Sequence, residues 1–316
     1  METPASYGTG RPRTEFREEP CKSALNRVRG MGFGWSLNPY MGCAHRCTFC
    51  YVRNFERRAD RPSGEAYGTS IRVKTNVVEV LRRELGRRGW RREVVAIGAA
   101  TDPYQPAEGR YRLTRGCLEA LSGARTPVQL ITRGPMVVRD LDVLQGFAGR
   151  AALEVNFSIP TLDVEVWRRT EPGTAPPRQR LRALERLAAA GVRVGVGMAP
   201  LLPGLSDRPQ QLAAVVRAAR DAGASHVWAN VLHLQPGTRE HFLEQLGRDW
   251  PEERARYEAM YGPRGYVAAS VAEPVLERVA RLRERYGVGE RGASSEAEAG
   301  EGESREVVPR QLALFG

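Results

Sequence analysis

The chain has 316 residues, of which 41% are hydrophobic and 27% charged, a composition ordinary for a globular protein that buries a core in one barrel-sized domain or two smaller ones. No run approaches the roughly 20 apolar residues of a membrane-spanning helix, and the first residues lack the apolar segment of a signal peptide, so we expect a cytoplasmic protein. The five cysteines are an odd number with three clustered, which does not fit a disulfide framework.

The charge balance of the chain is strongly basic. The formal net charge is +11 and the pI is about 9.9, which favours a polyanionic partner such as nucleic acid. All basic residues except Lys22 and Lys74 are arginines, a skew that genome composition would produce equally well. Charge alone therefore leaves nucleic-acid binding open.

Strand and helix patterns alternate through the middle of the chain, after a leader at 1–29 that we expect to be flexible. The predicted strands are 35–38, 70–74, 94–99, 128–132, 153–159, 192–198 and 227–232. The predicted helices are 50–58, 76–85, 114–122, 137–147, 178–190 and 209–222. Repeated strand-then-helix units predict a parallel sheet with right-handed crossovers. The expected fold class is α/β, as a barrel or partial barrel over 30–235, with a doubly wound open sheet as the alternative.

The C-terminal part of the chain has a different pattern. Residues 236–285 carry helical signals and form a predicted helical extension. Residues 286–316 form a predicted disordered tail, because almost no large apolar residue precedes Val307.

The candidate metal ligands are Cys43, Cys47 and Cys50, which have C-x3-C-x2-C spacing. Thiolates this close converge on one soft metal centre. Three thiolates without an obvious fourth suit a four-iron cluster with one iron left open, although the usual four-iron site has four cysteines. A structural zinc site is the alternative. Zinc takes four ligands, and no second ligand pair is present, while His45 lies inside the loop, where geometry disfavours it.

With the aromatic Phe49 before its last cysteine, this motif resembles the C-x3-C-x-aromatic-C signature of the radical S-adenosylmethionine (SAM) superfamily. The resemblance implies a partial (β/α)6 barrel and a [4Fe-4S] cluster held by Cys43, Cys47 and Cys50. It also implies that SAM binds the open iron and is cleaved reductively to a 5′-deoxyadenosyl radical, with an electron donor such as flavodoxin or ferredoxin. Phe49 would then lie near the SAM adenine.

Further cofactor-binding residues are expected at the carboxyl ends of the strands, where parallel barrels place function. Residues 100–108 resemble a loop of the radical SAM subgroup that includes spore photoproduct lyase and DNA-repair-photolyase-like proteins. Asp102 lies in this loop, as a cofactor contact or as a local cap. The resemblance also supports Ser158 and Arg193 as SAM contacts, provided that the strand register turns both inward. The alternating glycines after Arg193 would leave room for a ligand.

Tyr104 and Cys117 are the candidate catalytic residues, since phenols and thiols are easily oxidised and can relay a hydrogen atom. A buried structural role is the alternative for Cys117. Spore photoproduct lyase uses a dedicated cysteine hydrogen donor, and the strand at 153–160 contains no cysteine. The chain departs from that enzyme at this point.

The resemblance, the basic charge and the C-terminus together favour DNA as the substrate, in a repair-like lyase reaction. A modifier of tRNA or of a protein is the alternative enzyme, and a non-catalytic metal-binding nucleic-acid adaptor is the alternative of another class. The last residues resemble the bacterial sliding-clamp-binding peptide, or else they pack back on their own domain. The clamp anchors would be Gln311, Leu312, Leu314 and Phe315.

Overall fold

The computed structural model describes residues 14–262 and 265–291 of the chain. The strands are β1 Glu15–Glu19, β2 Leu25–Arg27, β3 Trp35–Leu37, β4 Tyr40–Met41, β5 Ser70–Lys74, β6 Val95–Ile97, β7 Val128–Thr132, β8 Leu153–Ser158, β9 Val194–Leu201 and β10 His226–Val231. The helices are α1 Val52–Arg58, α2 Val77–Leu85, α3 Pro106–Tyr111, α4 Leu113–Gly123, α5 Leu141–Gln145, α6 Val164–Thr170, α7 Pro177–Ala189, α8 Pro209–Asp221, α9 Thr238–Asp249, α10 Pro251–Met260 and α11 Ala269–Tyr286, with a 3-10 helix at Pro135–Asp140.

Six parallel strands form the main sheet. Their order is β10-β9-β8-β7-β6-β3, and β2 pairs antiparallel with β3 at one edge. The helices that connect these strands pack on the outer face of the sheet. The predicted α/β class and the partial (β/α)6 barrel are therefore confirmed.

The core lies between the sheet and its helices, and it follows the periods of the sequence. On α2, Val77, Leu81 and Leu85 are buried on one face, as their spacing predicts. On β8, Val155 and Phe157 pack into the same apolar layer, because alternate residues of a strand face opposite sides. Burial of each such side chain contributes about 1.5–3 kcal/mol.

The strand predicted at 70–74 does not join the barrel. It is β5 of a separate three-stranded sheet with the order β1-β5-β4, in which β1 is parallel to β5. Residues 14–29 are thus not the flexible leader that we expected, since β1 and β2 satisfy their backbone groups by pairing with β5 and β3. Residues 1–13 lie outside the described residues.

The helical extension contains α9, α10 and α11, and the chain then returns to the barrel. Arg291 enters the barrel from the amino-terminal end of its strands. The Nη2 of Arg291 donates to Oε1 of Gln129 (3.0 Å), and its Cζ lies 5.1 Å from the ring centroid of Trp228. Residues 286–291, which we expected to be disordered, therefore help to close this end of the barrel.

The remaining predictions for the C-terminus concern residues 292–316. These residues, and with them the clamp-like peptide, lie outside the described part of the chain, so that partner stays a prediction from the sequence. Within 14–262 and 265–291, no helix is both long and apolar enough to cross a membrane.

Candidate cofactor site

The three cysteines lie on residues 42–50, between β4 and α1, which we call the cysteine loop. Since β3 directs the chain to the carboxyl ends of the parallel strands, the loop meets the segments that follow β6 and β8. The hydroxyl of Thr101 donates to the carbonyl oxygen of Gly42 (2.6 Å), and the N–H of Thr48 donates to the carbonyl oxygen of Thr170 (2.9 Å). The barrel thus fixes the cysteine loop on two sides.

Gly173 brings the segment after β8 into backbone contact with the cysteine loop. Its N–H donates to the carbonyl oxygen of His45 at 3.0 Å. A Cβ at this position would collide with the carbonyl oxygen of Ala44 and would lie 2.7 Å from that of His45. Only glycine therefore fits here without displacing the cysteine loop.

We expect Gly173→Ala to shift the cysteine loop and to lower iron retention after anaerobic reconstitution. Substitutions beside metal ligands typically cost about 10–100-fold in metal affinity, and iron per protein in the presence of a chelator measures the effect. Gly123→Ala is the matched control, because no atom lies within 4 Å of its added Cβ. Equal iron retention in the two variants would contradict the steric role of Gly173.

The sulfurs of the cysteine loop are largely removed from water. Cys43 and Cys47 are buried and Cys50 is half-buried. Burial raises the pKa of the Cys47 and Cys50 thiols, and the charge of Cys43 raises both further. A cationic centre that bonds to thiolate sulfur removes this penalty, so the donor set fits an iron–sulfur cluster. Among residues 14–262 and 265–291, no three metal-ligating side chains converge on one ion. A four-iron cluster does not require such convergence, since each thiolate binds its own iron.

A buried arginine supports the cysteine loop from inside the protein. Arg53 is 1% exposed, and its guanidinium donates to the carbonyl oxygens of Ser63 (2.7 Å), Gly64 (2.6 Å) and Cys47 (3.3 Å). The Cζ of Arg53 lies 4.6 Å from the ring centroid of Tyr67. No described carboxylate pairs with this charge, and a buried charge without a counter-ion is costly. An anionic cluster bound by thiolates would supply the missing negative charge.

His45 and Asp102 form a buried ion pair, with Nδ1 of His45 at 3.3 Å from Oδ2 of Asp102. Burial would lower the pKa of His45, but the negative charges of Cys43 and Asp102 raise it to about 10. Burial would raise the pKa of Asp102, but His45 and hydrogen bonds from the N–H of Arg133 and the hydroxyl of Thr132 lower it to about 2. These contacts occupy both carboxylate oxygens. Asp102 therefore holds the cysteine loop to the ends of β6 and β7, and its direct contact with the cofactor stays a prediction.

A chain of charged side chains links the end of β7 to α7. The Nε of Arg133 donates to Oε1 of Glu171 (2.8 Å), and the Nη2 of Arg180 donates to Oε2 of the same carboxylate (2.6 Å). The Cζ of Arg133 lies 5.7 Å from the ring centroid of Phe49, and its charge opposes the rise in the pKa of Cys47. Arg133 is thus a fixed cation beside the cysteine loop.

Of the three other predicted cofactor contacts, two lie at this end of the barrel, as Asp102 does, and one does not. Phe49 is buried in the cysteine loop, and Ser158 ends β8 at the level of Gly197, so their contacts with SAM stay predictions. Arg193 precedes β9, and its Nε lies 3.5 Å from Oε2 of Glu154. This is the amino-terminal end of the strands, opposite the cysteine loop, and it does not support the expected contact between Arg193 and SAM.

The glycines of β9 make room for protein rather than for a ligand. A Cβ on Gly195 would collide with the ring of His226, and a Cβ on Gly197 would lie 2.7 Å from Cζ2 of Trp228. Both large side chains come from β10, which pairs with β9. The expectation of a ligand cavity beside Gly195 and Gly197 is therefore wrong.

Tyr104 and Cys117, the candidate catalytic residues, belong to the apolar layer between the sheet and its helices. Cys117 is fully buried on α4, and burial raises the pKa of its thiol. The hydroxyl of Tyr104 donates to Oδ2 of Asp140 (3.0 Å), and its pKa is raised by burial and by Asp140. Neither residue belongs to the apolar clusters that contain the three loop cysteines. The structure therefore does not support a hydrogen relay through them.

Sequence reasoning missed Arg53, Tyr67 and Arg133. Arg133 directly follows β7, a strand end at which function is expected in a parallel barrel, so the rule could have found it. Tyr67, whose hydroxyl lies 3.5 Å from the sulfur of Cys50, comes from a loop without a motif. Arg53 gave no signal because arginine is seldom buried.

Comparison with known proteins places the chain in a family. The model of the Radical SAM superfamily matches residues 37–216. An uncharacterized protein of Mycobacterium tuberculosis is 39% identical over 305 residues, which cover 95% of this chain and 88% of that protein. An uncharacterized protein of Acidianus two-tailed virus is 30% identical over 225 residues, which cover 67% of this chain and 71% of that protein. The chain belongs to the radical SAM superfamily.

Solved structures share the fold. A mutant of spore photoproduct lyase with bound AdoMet and dinucleoside spore photoproduct has a TM-score of 0.65 and 16% identity, over 86% of this chain and 79% of that chain. Another mutant of that lyase has a TM-score of 0.66 and 16% identity, over the same shares of the two chains. At this identity the similarity concerns the fold. Membership of the superfamily identifies the cofactors as a [4Fe-4S] cluster and SAM.

Proposed function

We propose that this protein is a radical SAM enzyme that acts on DNA in a repair-like reaction. The observation that carries the proposal is the cysteine loop itself, in which three largely buried sulfurs lie beside the guanidinium groups of Arg53 and Arg133. The net charge of +11 and the fold shared with spore photoproduct lyase support DNA as the substrate.

The cysteine loop would hold the cluster through Cys43, Cys47 and Cys50. When bound, the [4Fe-4S] cluster and SAM supply reductive cleavage of the sulfonium and abstraction of a hydrogen atom from the substrate. Arg53 and Arg133 compensate the negative charge of the thiolates from the protein side. The fixed positions of these cations require no reorganisation during the reaction.

In this proposal Arg133 binds the carboxylate of SAM. Its hydrogen bonds to Glu171 and to the carbonyl oxygen of Ala199 (3.2 Å) use two of the five N–H donors of a guanidinium. The remaining donors suit a carboxylate, because charge-assisted bonds of this kind are short and strong. Phe49 packs beside Arg133 and excludes water from the same place.

The test uses anaerobically reconstituted protein with SAM, dithionite and deuterium-labelled DNA. We expect 5′-deoxyadenosine to form and deuterium to pass from DNA into it. Arg133→Met should raise the Kd for SAM about tenfold or more, because a hydrogen bond to a charged group contributes about 1.5–3 kcal/mol. Arg168→Met is the control, since Arg168 is exposed on α6, and its Kd should stay at the wild-type value.

Other outcomes separate the alternatives. Transfer of deuterium from labelled tRNA or protein, with none from DNA, would overturn DNA as the substrate and leave the radical SAM activity standing. No 5′-deoxyadenosine, together with stoichiometric zinc in place of iron, would instead indicate a non-catalytic nucleic-acid adaptor.

A further inference from the structure

The end of α2 and the loop after it carry a dense group of arginines, at residues 82–92, which we call the basic segment. Six arginines in this segment are exposed, and none of them forms an ion pair with a described carboxylate. They are Arg82, Arg83, Arg87, Arg88, Arg91 and Arg92. By contrast, Arg27, which lies nearby on β2, is paired with Glu93. The six arginines of the basic segment therefore present their positive charge to solvent without a direct ion pair.

The only acidic residue within the basic segment is turned inward. Glu84 is buried, and its carboxylate accepts hydrogen bonds from the hydroxyl of Ser23 (2.8 Å) and the N–H of Leu25 (2.9 Å). Its charge is thus used to fasten α2 to β2. This bond anchors the helical part of the basic segment to the barrel.

The loop part of the basic segment is also fixed to the barrel. The ring of Trp90 packs on that of Trp35, with centroids 5.6 Å apart, and its Nε1 donates to the hydroxyl of Thr126 (3.0 Å). The arginines on either side of Trp90 consequently extend from a fixed platform. Like charges held together on a rigid surface raise the local potential and favour a polyanion.

The basic segment lies at the end of the barrel opposite the cofactor site. It leads directly into β6, and the carbonyl oxygen of Val94 accepts hydrogen bonds from Gly34 and Trp35 at the start of β3. The cysteine loop follows the carboxyl end of β3. The charge of the basic segment therefore plays no part in holding the cluster or SAM, and it is free to contact another partner.

The chemistry of the basic segment selects phosphate groups. A guanidinium is planar and always charged, and its fork of donors matches phosphate oxygens two at a time. Six of them within eleven residues suit a regular row of phosphates better than a single small anion. We infer that the basic segment is a second nucleic-acid contact, which binds the phosphate backbone at a distance from the active site. For the kind of polyanion, this inference rests on the proposed function.

The experiment measures binding of a fluorescent DNA duplex by anisotropy over a series of salt concentrations. Each phosphate contact contributes about 0.9 to the slope of log K against log salt. Replacing Arg87, Arg88, Arg91 and Arg92 by Gln should therefore make that negative slope shallower by about 3 to 4. At about 0.1 M salt, the Kd should rise at least about tenfold. Wild-type binding by this variant would overturn the inference.

Two control variants keep the result specific. Replacing the same four residues by Lys retains the charge, and the salt slope should stay close to wild type. A second control removes four exposed arginines from α7 and α8, which lowers the net charge by the same amount, and this variant should bind the duplex nearly as tightly as wild type. Its substitutions are Arg178→Gln, Arg182→Gln, Arg186→Gln and Arg217→Gln. Equal loss in this control would show that only diffuse charge acts, and would overturn the inference.

A further probe and an activity readout complete the design. If poly-glutamate binding falls in the Gln variant while duplex binding does not, the partner is an acidic polypeptide and the inference is wrong. All variants should retain wild-type iron and wild-type 5′-deoxyadenosine formation, because the basic segment lies away from the cofactor site. The basic segment and the proposed reaction can therefore fail separately.

Discussion

Replacing Glu171 by alanine is expected to lower the free energy of unfolding by about 3–5 kcal/mol. Glu171 and Arg180 are fully buried, and the side chain of Arg133 is 20% exposed. The carboxylate bonds both guanidinium groups, at 2.8 Å to Arg133 and 2.6 Å to Arg180. Its removal leaves two inward-facing positive charges without a counter-ion. Denaturant unfolding of the cluster-free protein measures the change directly.

The matched control for this substitution is Glu165→Ala. Glu165 pairs with Arg169 at 2.6 Å, but its side chain is 65% exposed, so water replaces the lost partner. The expected change is no more than about 0.5 kcal/mol, as for most surface substitutions. If both variants lost the same stability, the burial of the Glu171 network would not be the cause.

The same network gives the cluster-free protein a dependence on pH. Burial would raise the pKa of Glu171, but the charges and hydrogen bonds of Arg180 and Arg133 outweigh burial and lower it. A carboxyl group whose pKa is lowered in the folded state stabilises the folded protein fully at pH values above its unfolded-state pKa, which is about 4.3 for glutamate. This stabilisation is lost as the pH falls through the folded-state pKa. The stability difference between wild type and Glu171→Gln should therefore narrow below about pH 4. A difference that stays constant down to acid pH would contradict this account.

Replacing Cys47 by alanine is expected to abolish the cluster and, with it, the cleavage of SAM. The loop offers three thiolates, and two cannot complete a site that already leaves one iron without a protein ligand. Iron content after reconstitution should fall to background, and 5′-deoxyadenosine should not form. Both quantities are measured on the same anaerobic sample.

The chain supplies its own controls in Cys21 and Cys117. Neither residue lies on the cysteine loop, and Cys117 is buried in the main core. Cys21→Ala and Cys117→Ala should retain iron and SAM cleavage, although the second will lose some stability because it opens a cavity. Loss of iron in either control, with retention in Cys47→Ala, would mean that the ligand set is wrong.

Those parts of the structure that depend on local patterns could be predicted from the sequence. The strand and helix periods lead to the barrel, and the cysteine spacing leads to the superfamily. The failures concern information that arises only in three dimensions. Arg193 precedes β9 by one residue. The alternation of side chains correctly placed it on the same side of the sheet as Glu154, but it lies at the amino-terminal end of the barrel and not at the carboxyl end. The local pattern at 70–74 predicts a strand, but it does not show whether that strand pairs with the barrel or with β1.

The sequence predicts the sulfurs of the candidate site and the strand ends that surround them, but not the contacts that support them. Arg53, Arg133 and Asp102 act through burial and through contacts between segments distant in the chain. Arginine and aspartate usually lie on protein surfaces. When they are buried, their charge is compensated by partners that are distant in the sequence, and a local pattern does not reveal those partners. Asp102 illustrates the point, since its position at a strand end was expected while its attachment to His45 was not.

The placement of Arg291 matters to anyone who trims the protein to study the catalytic part alone. A cut after α11 would remove Arg291, whose side chain covers Trp228 and bonds Gln129. Water would then enter the barrel at the amino-terminal end of its strands. A cut beyond residue 291 would keep Arg291 and its two contacts. A shortened version of the enzyme that keeps its interior dry must therefore extend beyond α11, at least to Arg291.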